Sequence, residues 1–233
     1  MQAPATAAPA RIEARLQACL GPQLAVVCTG VSGDPQALWP EERAALAKAI
    51  ERRQREFAAG RAAARTAMRR LGWPECAIPV HEDRSPIWPA GLVGSISHSA
   101  SFCIAVVGLQ SAWACMGIDI EQDHRVTPEL WPSICVPEEL QALALVPPAD
   151  QRSWVTRVFG AKEAFFKAQY PGTRQMLEFH DVEVRLDPQA STFQAWHRSP
   201  GRGAQRLAAA GQQMQLEGQV LSVVLCPASS ACR

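Results

Sequence analysis

Apolar and polar residues alternate most tightly in Met116-Gly117-Ile118-Asp119-Ile120-Glu121. Strand side chains point alternately to opposite faces, so Ile118 and Ile120 are predicted to enter a core while Asp119 and Glu121 leave together on the other side. Two neighbouring carboxylates repel, and at neutral pH they are at ease only with a cation between them or with full hydration. A hard divalent ion such as magnesium suits the first arrangement. The plain alternative is a strand end whose acids face solvent.

The periodicity elsewhere predicts a mixed chain. Arg11 to Leu20 reads as a short helix and Leu24 to Thr29 as a buried strand ended by the turn at Gly30 to Pro35. Pro40 to Leu71 is helical, with Pro40 and Glu41-Glu42 suited to a first turn, Gly72 and Pro74 to a stop, and Gly60 to a break into two helices. Gly91 to Ser99 and Phe102 to Val107 predict strand, polar corner and strand, with Ser97 and His98 at the corner. Gln122 to Pro132 reads as a loop and Pro137 to Leu145 as a helix. A long helix follows over Ser153 to Ala168, closed by Tyr170-Pro171-Gly172. Asp181 to Leu186, Phe193 to His197, Met214 to Leu216 and Val220 to Leu225 predict an antiparallel sheet that finishes the fold.

Composition narrows the function classes. The 233 residues suffice for one large domain or two halves of about a hundred residues each. With 48% hydrophobic and 19% charged residues and a formal net charge of +1, no global field recruits nucleic acid or a membrane, so an acidic ligand must be held by local cations. The eight cysteines show no C-x-x-C pair, which points to reduced thiols in a cytosolic protein rather than to zinc or disulfides. Met1 to Ala10 lacks the charge pattern of a signal peptide and reads as a disordered lead-in. No apolar run approaches the length of a membrane span.

Three groups of polar residues then call for partners. Arg53 and Arg61 fall on or beside the apolar stripe Leu46, Ile50, Phe57, Ala64, Met68 and Leu71, where a guanidinium needs an anion or must snorkel to water. Ser97 and His98 are adjacent on a strand and so face opposite ways, which argues against a nucleophile pair and leaves either two groups that receive phosphate oxygens or a plain polar hairpin corner. Glu163 and Lys167 lie four apart on one helix face, a spacing that as a surface ion pair contributes only about 0.3–0.5 kcal/mol.

Taken in order, the motifs are the helix with Arg53 and Gly60-Arg61; Arg84-Ser-Pro86 with Trp88-Pro89; Gly94-Ser-Ile-Ser-His98; Gly117-Ile-Asp-Ile-Glu121; and Phe159-Gly-Ala-Lys-Glu-Ala-Phe-Phe-Lys167. This series resembles the 4'-phosphopantetheinyl transferases of the surfactin/enterobactin-type class over roughly Arg53 to Pro171. The resemblance implies an α+β fold of two pseudo-twofold-related halves, residues 1–115 and 116–233, and a monomer with coenzyme A bound between them. It implies magnesium held by Asp119, Glu121 and Glu163, and phosphates taken by Arg53, Arg61, Arg84 and His98 with Ser97 in the same site. Lys162 and Lys167 match the family's lysines beside the pyrophosphate. Phe159 stands where many relatives carry Trp, and Ile120 where some offer a further polar group.

The implied reaction is transfer of phosphopantetheine from coenzyme A to a serine of an apo acyl or peptidyl carrier protein, with release of 3',5'-ADP. Asp119, Glu163 and Lys167 are the expected catalytic residues, and Glu163 is the expected base. Carriers of this kind belong to fatty-acid, polyketide, nonribosomal-peptide and siderophore synthesis. They generally present an acidic helix, and Arg125 and Lys167 are candidates for the surface that meets it. Two rivals share some of the residues: a metal-dependent phosphohydrolase acting on nucleotides or coenzyme A, and a non-catalytic coenzyme A-binding module that docks carriers.

Overall fold

The structure, a computed structural model, describes residues 7–46, 49–198 and 207–229. The chain divides into two compact units, Met1–Trp113 and Ala114–Arg233. Each carries an antiparallel sheet, which makes the protein α+β. Among the described residues no disulfide forms, and no helix is long and apolar enough to cross a membrane. Cys232 lies outside the described residues.

The first unit begins with α1 (Ala7–Leu20), which buries Ile12, Leu16 and Leu20. Ala7 to Ala10 are thus helical rather than a lead-in, as alanine's high helix propensity favours. Residues 1–6 lie outside the described set. Gln17 fixes the helix to β1 (Leu24–Gly30) by accepting from Val26 N at 3.0 Å and donating to Leu24 O at 2.8 Å. The sheet runs β1-β3-β2, with β2 (Leu92–His98) and β3 (Phe102–Leu109) completing it.

The expected helix over Pro40 to Leu71 breaks early. A single turn, α2 (Pro40–Arg43), is followed by a helical turn at Ala44–Leu46, and α3 (Glu51–Arg70) then runs unbroken through Gly60. Gly60 serves close packing instead: a Cβ there would lie 3.0 Å from Ile96 Cγ2 of β2. Buried Glu42 of α2 accepts two hydrogen bonds from Arg65 of α3, both 2.8 Å, and one from Ile78 N at 2.9 Å. Arg65 Nη1 reaches both carboxylate oxygens, so Glu42 ties α2 to α3 and, through Ile78 N, to the segment that follows α3.

In the second unit the sheet order is β4-β8-β7-β6-β5, built from β4 (Trp113–Gln122), β5 (Val182–Asp187), β6 (Thr192–His197), β7 (Ala208–Leu216) and β8 (Gln219–Pro227). Two short helices, α4 (Trp131–Ile134) and α5 (Pro137–Leu143), precede α6 (Gln151–Thr173). Tyr170-Pro171-Gly172 does not close α6; it continues to Arg174, whose left-handed φ of 56° turns the chain.

Helix α6 lies unusually close to β4. An added Cβ at Gly117 would sit 1.9 Å from Ala164 O and 2.7 Å from Ala168 N, so only glycine permits this approach. Gly117→Ala is therefore expected to force the two elements apart and to destabilise the protein by about 1–3 kcal/mol, the usual range for overpacking. Chemical denaturation checks it, and an unchanged midpoint would contradict the packing.

Candidate functional site

The first unit gathers cations around one cavity. Its volume is about 490 Å³, and Ile50, Arg53, Phe57, Val80, His81 and Arg84 are among the residues that line it. Arg53 enters from the first turns of α3. Arg84 enters from a turn closed by His81 N to Ser85 O and by Arg84 N to His81 O, both 2.9 Å. The turn holds Arg84 at φ 69°, the left-handed region that non-glycine residues rarely occupy. His98, at the end of β2, meets Arg53 with Nε2 to Nη1 at 2.6 Å.

Glu56, one turn after Arg53, stands behind this pair. Its carboxylate lies 3.6 Å from Arg53 and 3.8 Å from His98 and accepts from Arg52 Nε at 2.8 Å. Burial pushes the Glu56 carboxyl up, yet the Arg52 hydrogen bond and the neighbouring cations hold it below its ordinary value. Ser97 is buried, at 6% exposure.

Arg61 is placed differently from the expectation. It is not among the residues lining the cavity; Nε donates to Ile78 O at 2.7 Å, and the guanidinium carbon lies 4.1 Å from the Phe57 ring centroid. Burial lowers its pKa to about 10, still a cation at neutral pH. In this position Arg61 packs against Phe57, which lines that cavity.

The second unit gathers the acids. Asp119 and Glu121 share one face of β4, as the alternation predicts, but they are buried, at 2% and 6% exposure, rather than lying on the surface. The reason is α6, which covers that face. Lys167 from α6 donates to Asp119 Oδ1 at 2.6 Å and to Ile118 O at 3.2 Å. Burial works against the Lys167 charge, yet Asp119 foremost, then Glu163, raise its pKa. Lys167 thus pairs with Asp119 across elements instead of forming the simple helix-surface pair with Glu163.

Glu163 has its carboxyl raised by burial, with Asp119 adding to the effect and Lys167 opposing it. Glu121 is pushed up to about 7, first by burial and then by Asp119, against the hydrogen bond and charge of Arg125. Glu163 also opens on a cavity of about 230 Å³ whose other walls include Phe166, Met176, Leu177, Phe179 and Val182.

The donor set suits a hard divalent ion: Asp119 acts on both Glu121 and Glu163, and those two are harder to ionise than an ordinary glutamate. The expected meeting of all three around one ion is nevertheless not preformed, for among the described residues no group of three or more His, Cys, Asp or Glu side chains converges as a metal site. Two of the acids already hold cations, Lys167 on Asp119 and Arg125 on Glu121.

Lys162, expected beside a pyrophosphate, lines the Glu163 cavity but is otherwise enclosed. It is 2% exposed, and Nζ donates to Glu139 at 2.8 Å, Ile134 O at 2.8 Å and Phe179 O at 2.9 Å. Burial pulls the lysine down and lifts the glutamate. Three acceptors require three protons, however, so the ammonium form is the one the geometry selects. Its donors are filled, and Lys162 is a core anchor.

Glu121 yields a pH prediction. A carboxyl whose folded pKa is raised from 4.5 to about 7 contributes stability that is full below 4.5 and lost as pH rises through 7. The metal-free protein should lose on the order of 3 kcal/mol from this group between pH 4.5 and 8. Denaturation at pH 5 and 8 with and without Glu121→Gln checks it; an equally steep loss in the variant would contradict it.

Sequence reasoning missed Glu56 and Glu139. The first had a signal, an acid three residues after Arg53 on a helix. The second had none, because its partner is distant in the chain.

Residues 41–108 match the family model of the 4'-phosphopantetheinyl transferase N-terminal domain, and residues 115–224 that of the 4'-phosphopantetheinyl transferase superfamily. The chain is 36% identical to the 4'-phosphopantetheinyl transferase Svp of Streptomyces mobaraensis over 210 residues, covering 87% of this chain and 85% of that one. It is 36% identical to the transferase PptT of Mycobacterium tuberculosis, over 66% of this chain and 68% of that protein. It is 40% identical to enterobactin synthase component D of Escherichia coli, over 56% and 62%. A solved holo-[acyl-carrier-protein] synthase of Thermotoga maritima superposes with a TM-score of 0.35 at 18% identity, over 49% of this chain and 63% of that one. With acids, lysine and arginines placed as described, and with a relative matched along most of its length, the chain belongs to the 4'-phosphopantetheinyl transferase superfamily.

Proposed function

We propose that the protein transfers phosphopantetheine from coenzyme A to a serine of an apo acyl or peptidyl carrier protein. The observation that carries this reading is the buried cluster in which Lys167 grips Asp119 at 2.6 Å while burial foremost, with Asp119 adding to it, lifts Glu121 and Glu163. In the first unit, Arg53, Arg84 and His98 take the phosphate at the nucleotide end of coenzyme A, with Ser97 beside them. Arg53 and Arg84 face one cavity and Arg53 touches His98, so a single anion can satisfy the group.

In the second unit, Asp119, Glu121 and Glu163 would hold magnesium, which when bound supplies positive charge to the diphosphate oxygens. The carrier serine Oγ attacks the β-phosphorus, the bond to the 3',5'-ADP oxygen breaks, and the serine proton passes to Glu163. In the metal-free protein burial raises the Glu163 carboxyl, which makes it a better proton acceptor than an ordinary glutamate. Lys167, held as a cation, neutralises charge developing on the leaving phosphate. The apolar cavity that begins at Glu163 receives the pantetheine arm, whose uncharged chain suits Phe166, Leu177 and Phe179. The enzyme acts as a cytoplasmic monomer.

Quantifying 3',5'-ADP released from coenzyme A with magnesium, with and without apo carrier, tests the reading. Release that requires the carrier is expected. Equal release without a carrier would favour a phosphohydrolase, and no release in either case would leave only a binding module.

A further inference from the structure

Among the described residues, Arg125 is the cation of the acid cluster whose side chain is mostly exposed, at 57%, while the Glu121 side chain it holds is 8% exposed. Its backbone is fixed. His124 O accepts from Arg152 Nη2 at 2.6 Å, and Val126 N donates to Thr156 Oγ1 at 3.2 Å, so residues on both sides of Arg125 are tied to α6. The guanidinium carbon also lies 5.8 Å from the centroid of the Phe159 ring, which gives the cation a second resting place. A rigid pedestal thus presents a long solvated side chain to a carboxylate that is itself buried.

We propose that Arg125 is a resident, displaceable counter-ion that competes with the divalent cation for Glu121. The inference rests on the reading of Glu121 as a metal ligand. Each carboxylate oxygen that accepts a guanidinium is less available to an ion, and the fixed positive charge repels a second cation nearby. The arginine keeps the acid pair neutralised while no metal is bound, and it must swing from Glu121 when one arrives. Its exposure makes this possible, since water and the Phe159 face can receive it. Lys167, less exposed and tied to a backbone carbonyl as well as Asp119, is not built for such a movement.

The test is manganese binding to the full chain without coenzyme A, followed by electron paramagnetic resonance, in wild type, Arg125→Gln, Arg125→Lys, Glu121→Gln and the Arg125→Gln/Glu121→Gln pair. Arg125→Gln is expected to bind manganese about fivefold more tightly or better, as removal of a neighbouring charge of this kind allows. Arg125→Lys should stay near wild type, and the gain should vanish when Glu121 is also replaced. A second readout is the melting temperature: Arg125→Gln should melt lower than wild type in EDTA at pH 8 and gain more from added magnesium. Equal or weaker manganese binding by Arg125→Gln, with wild-type binding dependent on Glu121, overturns this proposal alone. If Glu121→Gln leaves manganese binding unchanged, or wild type and Arg125→Gln bind none, the metal-ligand reading of Glu121 falls and this proposal falls with it.

Discussion

Glu163→Gln is expected to lower carrier modification by about a hundredfold to ten-thousandfold, the range set by loss of a general base. Glutamine keeps the shape of the side chain and one oxygen, so the packing of α6 and the cavity beside it should persist. What disappears is the proton acceptor, together with an acid that interacts with Asp119. Coenzyme A binding should change by only a few fold, because Arg53, Arg84 and His98 are untouched. Single-turnover kinetics and direct coenzyme A titration separate the two effects. Near-normal turnover would remove Glu163 from the chemistry.

The largest effect on stability is expected at a residue with no part in the reaction. Glu139 is 2% exposed and accepts from three donors: Lys162 Nζ at 2.8 Å and Val136 N at 2.9 Å on Oε2, and Val184 N at 2.7 Å on Oε1. It thereby joins the start of α5, strand β5 and the middle of α6. Glu139→Ala would strand a buried ammonium and two backbone N–H groups, at a cost of about 3–5 kcal/mol. Melting should fall sharply while any folded fraction keeps its affinity for coenzyme A. Replacing both partners, Glu139→Leu with Lys162→Met, should recover much of the loss, because removing a buried pair together leaves no lone charge. A double variant no better than Glu139→Ala would mean that Lys162 is needed for more than packing.

The pairing of Asp119 with Glu121 was legible because a two-residue period places both acids on one strand face whatever covers it. Their burial was not legible, since nothing in the alternation says that α6 lies over that face. Gly117 is the sequence's trace of that approach, and it reads as such only once Ala164 is known to be its neighbour. The same limit explains Gly60, where a break was expected and a close helix–strand contact occurs. Lys162 and Glu163 show the limit most sharply. Adjacent residues on a helix diverge in direction, so one enters the core toward Glu139 while the other faces the acids of β4. A motif names both without saying which is which. Arg61 is similar: the apolar stripe correctly places it inward, but its acceptor is a backbone carbonyl, which no spacing in the sequence announces.

The central claim is that the buried acids and Lys167 serve a transfer to another protein's serine. Intact-mass spectrometry of an apo carrier protein incubated with coenzyme A, magnesium and this enzyme tests that claim most directly. The account predicts that the carrier gains one phosphopantetheine group, and that a carrier whose acceptor serine is replaced by alanine gains none. A panel of apo carriers that all keep their unmodified mass, beside an enzyme shown to be folded and to bind coenzyme A, would contradict it.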